Sequence, residues 1–246
     1  MSEVLRAIAG AMQADVATLR AISQNIANAE VPAYRRQIPL AATRFEELLS
    51  SSLADGSTPA AQSDVQWDAV GTDETPGTLK GTGEPLHVAI EGGGYFQLQS
   101  DQGAVLTRRG DFHVSAEGLL TAASGAPVLG IAGPIELGTA TPTIASDGTV
   151  RVADNLVGQL KIVTAAQDSP LQYVGDALYV LLNDDVTTVE QPTVRQGFLE
   201  AGNVTPVQEM VHMMETLRHF ETAQRFLLGY DELRQQAISE LGRVDF

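Results

Sequence analysis

Two segments, one at each end of the chain, carry apolar residues at the spacing of a long amphipathic helix. In residues 3–29 the apolar positions recur at steps of three, four and seven, which describes a single helical face: Leu5, Ile8, Met12, Leu19, Ile22 and Ile26. Four of the six repeat every seven residues, a spacing typical of a coiled-coil seam. Pro32 disfavours helical geometry at Val31, so this helix is predicted to end near Asn28.

The last segment, residues 206–241, repeats this kind of pattern. Asn203 or Thr205 can cap the helix, Pro206 fits its first turn, and the carboxylate of Glu209 suits the positive end of the helix dipole. A helix of this length cannot cover its own apolar face, and the helix at the other end of the chain is its natural partner. The residues predicted to pack there and against neighbouring copies are Met210, Met214, Leu217, Phe220 and Leu227.

Between the two helical segments the composition changes twice. Residues 31–83 include a stretch rich in Ser, Gly, Thr, Pro and Asp, which indicates a linker or an extended arm. Residues 84–200 contain short β-prone runs separated by turn residues, among them Gly158–Val163 and Thr193–Leu199, and this pattern favours an antiparallel domain. The predicted fold is α+β, mainly β, with a helix in 1–30 and another in 201–246 that pair as a coiled-coil-like bundle.

Charge and composition exclude several classes of function. A net charge of -16 disfavours binding to nucleic acid, because neutralising phosphates requires clustered Lys and Arg. The chain has no cysteine, which excludes disulfides and thiolate metal sites. No apolar run approaches the ~20 residues that a membrane helix needs, and no basic-then-apolar leader is present. We therefore expect no membrane insertion and, for a protein that leaves the cytoplasm, export without a cleaved signal peptide.

No set of residues points to catalysis. Glu209 and His212 have the spacing of di-iron bundle ligands, but the first helix offers no histidine to complete such a site. The run from Glu91 to Gly94 follows a predicted strand as a phosphate loop would, yet a second strand rather than a helix comes next. The sequence therefore predicts no enzyme, catalytic residue, metal, cofactor or small-molecule substrate.

Four blocks of sequence, in order along the chain, carry a further pattern. They read NIANAEVPAYRRQ at 25–37, EPLHVAIEGGGYFQL at 84–98, TRRGDFHVSAEGLLTAASGAPVLG at 107–130 and GFLEAGNVTPVQEMVHMMETLRHFETAQR at 197–225. Together they resemble the flagellar basal-body rod and hook protein family, with Ala33 where that family usually has glycine. The matching motif residues are Asn25, Asn28, Tyr34, Gly94, Phe96, Arg108, Gly110, Phe112, Gly125 and Asn203.

The resemblance implies a structural subunit of the bacterial flagellar rod that polymerises through its terminal helices with itself and with other rod proteins. It also implies passage through the flagellar type III export apparatus and a place in the rod, across the periplasm. The chain length and GIAGPIEL at 130–137 favour a proximal-rod subunit over a distal-rod subunit. A carbohydrate-binding or adhesive β module is the alternative from another class, and it would need an exposed aromatic cluster.

Overall fold

The computed structural model describes residues 2–39, 70–100, 105–153, 155–165, 171–181 and 186–241. The chain divides into two compact units. The helical unit comprises Met1–Ala27, Arg36–Asp73 and Val204–Phe246, and the β unit comprises Asn28–Arg35 and Glu74–Asn203.

Among its described residues, the helical unit contains two long helices and one short strand pair. Helix α1 spans Ser2–Ala27 and helix α2 spans Pro206–Leu241. Strand β1 (Gln37–Pro39) pairs antiparallel with β2 (Val70–Thr72). The bounds of α2 are those predicted from the sequence, and α1 ends one residue before Asn28, where a turn closed by the Val31 amide replaces the helix.

Two contacts show that α1 and α2 run antiparallel. Near the end of α1, Asn25 Nδ2 lies 3.2 Å from Glu209 Oε2, in the first turn of α2. Ten residues earlier along α1, Asp15 Oδ2 lies 2.7 Å from Nδ1 of His219, ten residues later along α2. Both helices rise about 1.5 Å per residue, so equal and opposite steps define a single antiparallel register.

The β unit contains seventeen short strands among its described residues, and every pairing between them is antiparallel. They are β3 Leu79–Gly81, β4 Val88–Ile90, β5 Tyr95–Leu98, β6 Val105–Thr107, β7 His113–Val114, β8 Leu120–Thr121, β9 Leu129–Gly130, β10 Gly133–Pro134, β11 Thr143–Ile144, β12 Thr149–Val152, β13 Asn155–Gln159, β14 Ile162–Ala165, β15 Leu171–Gly175, β16 Leu178–Leu181, β17 Val186–Thr188, β18 Val194–Gln196 and β19 Phe198–Glu200. The largest sheet has the order β15-β16-β6-β5-β14-β17, and β11, β12 and β13 form a second sheet.

The core of the β unit is made of large apolar side chains contributed by many strands. Phe96 and Phe112 pack edge to face with ring centroids 5.0 Å apart, within a cluster that includes Val88, Leu98 and Val128. A smaller cluster lies around Leu106, Val163 and Tyr179. The described part of the molecule thus confirms the mainly β, antiparallel fold with a helix from each end of the chain.

Two predicted strands are each divided in the structure. Residues 193–199 form β18 and part of β19, separated by Gly197, whose φ of 77° interrupts the extended backbone. Residues 158–163 span the end of β13 and the start of β14, because Leu160 and Lys161 turn to hydrogen-bond with Gly148 and Leu129. The segment predicted as a linker, 31–83, contains β1, β2 and β3, and its residues 40–69 lie outside the described part.

Candidate functional site

The sequence block at 25–37 begins by fastening the end of α1 to β1. The buried side chain of Asn25 accepts a hydrogen bond from the amide of Gln37 at 2.8 Å and donates one to the carbonyl of Gln37 at 3.0 Å. The side-chain amide therefore pairs with one residue of the strand as a neighbouring strand would. This contact fixes the path of the chain after the helix has ended.

Glu209 connects α2 to this contact between the end of α1 and β1. Its side chain is only 2% exposed, and Arg36 Nε donates to its Oε1 at 2.5 Å while Asn25 Nδ2 lies 3.2 Å from its Oε2. We call Asn25, Arg36, Gln37 and Glu209 the Glu209 network. A buried carboxylate is strongly destabilising without charged or polar partners. Glu209 in α2 therefore requires that the end of α1 and the start of β1 lie close to it.

Glu209 and His212, which have the spacing of di-iron ligands, make separate contacts in the structure. Glu209 has both carboxylate oxygens engaged in the Glu209 network, whereas His212 is exposed and its Nδ1 lies 3.5 Å from the carboxylate of Glu215. Among the described residues, no cluster of three His, Cys, Asp or Glu side chains could hold a metal ion.

A second ionic cluster lies within the β unit. Glu200 is 3% exposed, and its carboxylate accepts from Arg35 Nη2 at 2.9 Å, from Arg108 Nε at 2.7 Å and from the amide of Gly77 at 2.9 Å. We call Arg35, Gly77, Arg108 and Glu200 the Glu200 network. It ties β19 to the segment after α1 and to the chain following β6.

Arg108 also explains the glycine run that resembles a phosphate loop. Its guanidinium donates to the carbonyl oxygens of Gly92 and Gly94, so these carbonyls point at a buried cation. Gly94 has a φ of 116°, and a Cβ atom there would lie 2.9 Å from Cγ2 of Ile162. The run is a tight, arginine-bound turn between β4 and β5.

Other motif residues also have packing or backbone roles. At Gly110 a Cβ atom would lie 1.7 Å from the carbonyl oxygen of Val88, so no larger residue fits. The side-chain amide of Asn203 donates to the carbonyl of Thr75 at 3.0 Å, and its backbone amide donates to the carbonyl of Tyr34. Ala33 adopts a φ of 55°, a left-handed conformation that suits the glycine usual in the family.

Four tyrosines pack together in the β unit. Tyr173 lies between Tyr34 and Tyr179, with ring centroids 6.4 and 5.6 Å away, and Tyr95 lies 5.6 Å from Tyr179. Burial raises the pKa of Tyr179 well above its usual value of 10 and also raises the pKa of Tyr95. The hydroxyl of Tyr179 is buried and makes no hydrogen bond within the described structure.

The predicted assembly residues of α1 are only partly covered. Leu5, Ile8, Met12, Leu19 and Ile26 are half-buried, and only Ile22 of that set is buried. The buried positions of α1 are instead mostly small or polar: Ala14, Ala21, Ile22 and Asn25. The large apolar side chains of α1 therefore keep part of their surface accessible in the single chain.

On α2 the predicted residues divide between two faces. Phe220 and Leu227 are half-buried and belong to a stripe with alternating steps of three and four: Met213, Thr216, Phe220, Ala223, Leu227 and Tyr230. Met210, Met214 and Leu217 are 51%, 54% and 43% exposed, so the predicted packing of these three against α1 differs from the structure. The reason is the 3.6-residue turn, which points Met210 and Leu217 about 60° away from Met213 and Phe220, and points Met214 about 100° away from Met213. Their role in assembly stays a prediction.

Sequence reasoning did not single out several residues of the two networks. Glu200, Arg35, Arg36 and Gln37 lie inside the matched blocks, and Gly77 lies in the segment interpreted as a linker. Charged residues carry no periodic signal of burial, because a charge is buried only where partners from distant segments meet it.

Comparisons with known proteins agree with this arrangement. A family profile described as "Flagellar hook protein FlgE/F/G D1 domain" matches residues 89–152, and one described as "Flagellar basal body rod FlgEFG protein C-terminal" matches residues 195–240. Flagellar basal-body rod protein FlgF of Caulobacter vibrioides is 31% identical over 231 residues, covering 91% of each chain. FlgF of Escherichia coli is 34% identical over 230 residues, covering 85% of this chain and 86% of the relative.

The chain is also similar to rod proteins named FlgG. Flagellar basal-body rod protein FlgG of Bacillus subtilis is 28% identical over 247 residues, covering 90% of this chain and 92% of that protein. The chain belongs to the flagellar basal-body rod protein family. It is a structural subunit of the rod, located in the flagellar basal body, and not an enzyme. Within the described residues, no helix has the length and apolar character to cross a membrane.

Proposed function

We propose that this protein is a proximal-rod subunit that polymerises through α1 and α2 with copies of itself and with other rod proteins. The observation that carries the proposal is the uncovered apolar surface of α2, where Val207, Met210, Met214 and Leu217 are all exposed. Contiguous exposed apolar surface marks a site of protein–protein contact. Burial of such surface contributes about 25 cal/mol per Å², so repeated helix contacts are the main source of cohesion.

The two helices pair as a coiled-coil-like bundle in this proposal. The stripe that begins at Met213 and ends at Tyr230 repeats every seven residues, which supports that geometry. Residues 1–30 and 201–246 form the axial core, residues 31–83 serve as the connecting arm, and residues 84–200 form the antiparallel β domain. The matches to FlgF support the proximal position, and the match to FlgG keeps the distal position as the alternative.

Membership of the flagellar rod protein family supports a proposal for the location and the export route. The subunit is exported through the flagellar type III apparatus and takes its place in the rod where it crosses the periplasm. The absence of cysteine supports this route, since no disulfide can obstruct an unfolded chain in transit. A role as an adhesive β module has little support, because Phe226 in α2 is the one exposed aromatic side chain among the described residues.

Leu217→Asp tests the assembly face directly. A carboxylate at this exposed apolar position should block incorporation into rods and abolish motility, while purified protein keeps the thermal unfolding transition of the β unit. Thr222→Asp is the matched control, because Thr222 is exposed on α2 and points away from both apolar faces. Normal swimming by the Leu217→Asp strain, or equal loss with both variants, would refute the proposal.

A further inference from the structure

The stripe of α2 that begins at Met213 does not by itself fix one alignment with α1. Its large apolar residues Met213, Phe220 and Leu227 repeat every seven positions, so a slide of one repeat, about 10.5 Å, places another large apolar side chain at the same contact. The buried residues of α1 are also alike, since Ala14 and Ala21 lie seven residues apart. Something other than this repeat must select the observed register.

Each helix has one strongly polar buried residue at the same end of the pair. On α2 the positions seven and fourteen residues after Glu209 hold Thr216 and Ala223, and neither can replace a carboxylate. On α1 the position seven residues before Asn25 holds Thr18, whose hydroxyl donates to the carbonyl of Ala14 within its own helix. The contacts of Glu209 therefore exist in one register only.

Moving α2 by one repeat would take the carboxylate away from both of its side-chain partners. Glu209 is 2% exposed and meets Arg36 Nε at 2.5 Å and Asn25 Nδ2 at 3.2 Å. A buried charge that loses its partner is strongly destabilising, whereas an apolar stripe that slides by one repeat loses little. The apolar contacts therefore differ little in free energy between registers, and the contacts of the Glu209 carboxylate distinguish them.

We propose that the Glu209 network is the register lock of the helix pair. It holds α2 at one axial position against α1 and so decides which apolar side chains of α2 stay accessible. A further polar contact along the pair, Asp15 with His219, is consistent with this register but does not impose it. His219 is largely exposed, and exposed ion pairs contribute little.

Cross-linking in this naturally cysteine-free chain tests the lock. Three double variants report three registers: Asp15→Cys with His219→Cys for the observed one, and Asp15→Cys with His212→Cys or Phe226→Cys for slides of one repeat in either direction. A short bifunctional thiol reagent is applied to dilute full-length protein, and intramolecular products are quantified by mass spectrometry. With Glu209 intact, the 15–219 product should dominate.

Adding Glu209→Ala should reduce the 15–219 product about tenfold relative to the 15–212 and 15–226 products, which should rise. Glu209→Gln, which keeps an oxygen acceptor for Arg36 or Asn25, should restore part of the preference. The exposed carboxylate of Glu215 provides the control, since Glu215→Ala should change no ratio. A dominant 15–219 product in Glu209→Ala would overturn the proposal, and so would a joint fall of all three products, because the network would then serve pairing and not register.

Discussion

The β unit and the helical unit bury very different side chains. In the β unit the interior holds Phe96, Leu98, Leu106 and Val128, all fully covered within one chain. Of the large apolar residues that are exposed in the described structure, most lie along α2 of the helical unit, among them Met210, Met214 and Phe226. The β unit buries a core of large apolar side chains within the single chain, whereas the helical unit leaves several such side chains exposed.

This difference shows how a polymer-forming chain separates two tasks. The β unit gains its stability from its own apolar burial, so it can fold before any neighbour is present. The helical unit buries mostly small or polar side chains and the Glu209 network, and it leaves larger apolar side chains accessible, as the proposed assembly face requires. Several changes can break or sharpen this contrast.

The largest effect is expected at the buried carboxylate of Glu200. Glu200→Ala would leave the guanidinium groups of Arg35 and Arg108 buried without their carboxylate, and we expect a loss of about 3–5 kcal/mol in the free energy of unfolding. Urea unfolding of the purified protein measures it. Glu91→Ala is the control, because its pair with Arg195 is about half exposed and should contribute at most about 1 kcal/mol. Equal losses would show that burial of the Glu200 network does not matter.

The two units should respond oppositely to an added methyl group. Gly110→Ala would force a Cβ atom against the carbonyl of Val88 and should lower the free energy of unfolding by about 3 kcal/mol. Gly229→Ala in α2 meets nothing within 4 Å and should stabilise the helix by about 1 kcal/mol. Thermal unfolding followed by circular dichroism compares the two. Tolerance of alanine at position 110 would contradict the close approach seen there.

Alkaline pH should destabilise the β unit through its tyrosine cluster. The pKa of Tyr179 is raised in the folded protein, so its contribution is fully present below pH 10 and is lost as the pH rises above 10 towards the folded pKa. The loss attributable to one such tyrosine at pH 11 is about 1.4 kcal/mol. Tyr179→Phe should remove this part of the pH dependence, whereas Tyr230→Phe in α2 should not. Denaturation midpoints between pH 8 and 11 test the difference, and identical alkaline slopes in both variants would contradict it.

The smallest effect is expected at Ala33. Its φ of 55° is unfavourable for a residue with a Cβ atom, so Ala33→Gly should raise the free energy of unfolding by up to about 1 kcal/mol. Ala29→Gly, four residues earlier and outside the left-handed region, should instead be neutral or destabilising. Chemical denaturation of the Ala33→Gly and Ala29→Gly variants measures both free energies of unfolding. A destabilised Ala33→Gly protein would mean that the strain at this turn is negligible.

Local patterns made most of the fold predictable. The bounds of α2 follow from its cap, Pro206 and the apolar period, and the end of α1 follows from Pro32. Most strands of the β unit were predicted from alternating runs and turn residues. The division at Gly197 and the strands β1 and β2 were not predicted, because they depend on hydrogen bonds to segments far along the chain.

The sequence by itself determined where helices and strands form, which family the blocks resemble and that both ends carry apolar faces, since all of these depend on the order of neighbouring residues. Only the tertiary structure decided that Glu200 and Glu209 are buried, and that Met213 lies on the half-buried face while Met214 is exposed. The physical reason is that burial of a charge or a methionine depends on partners that folding brings from distant parts of the chain.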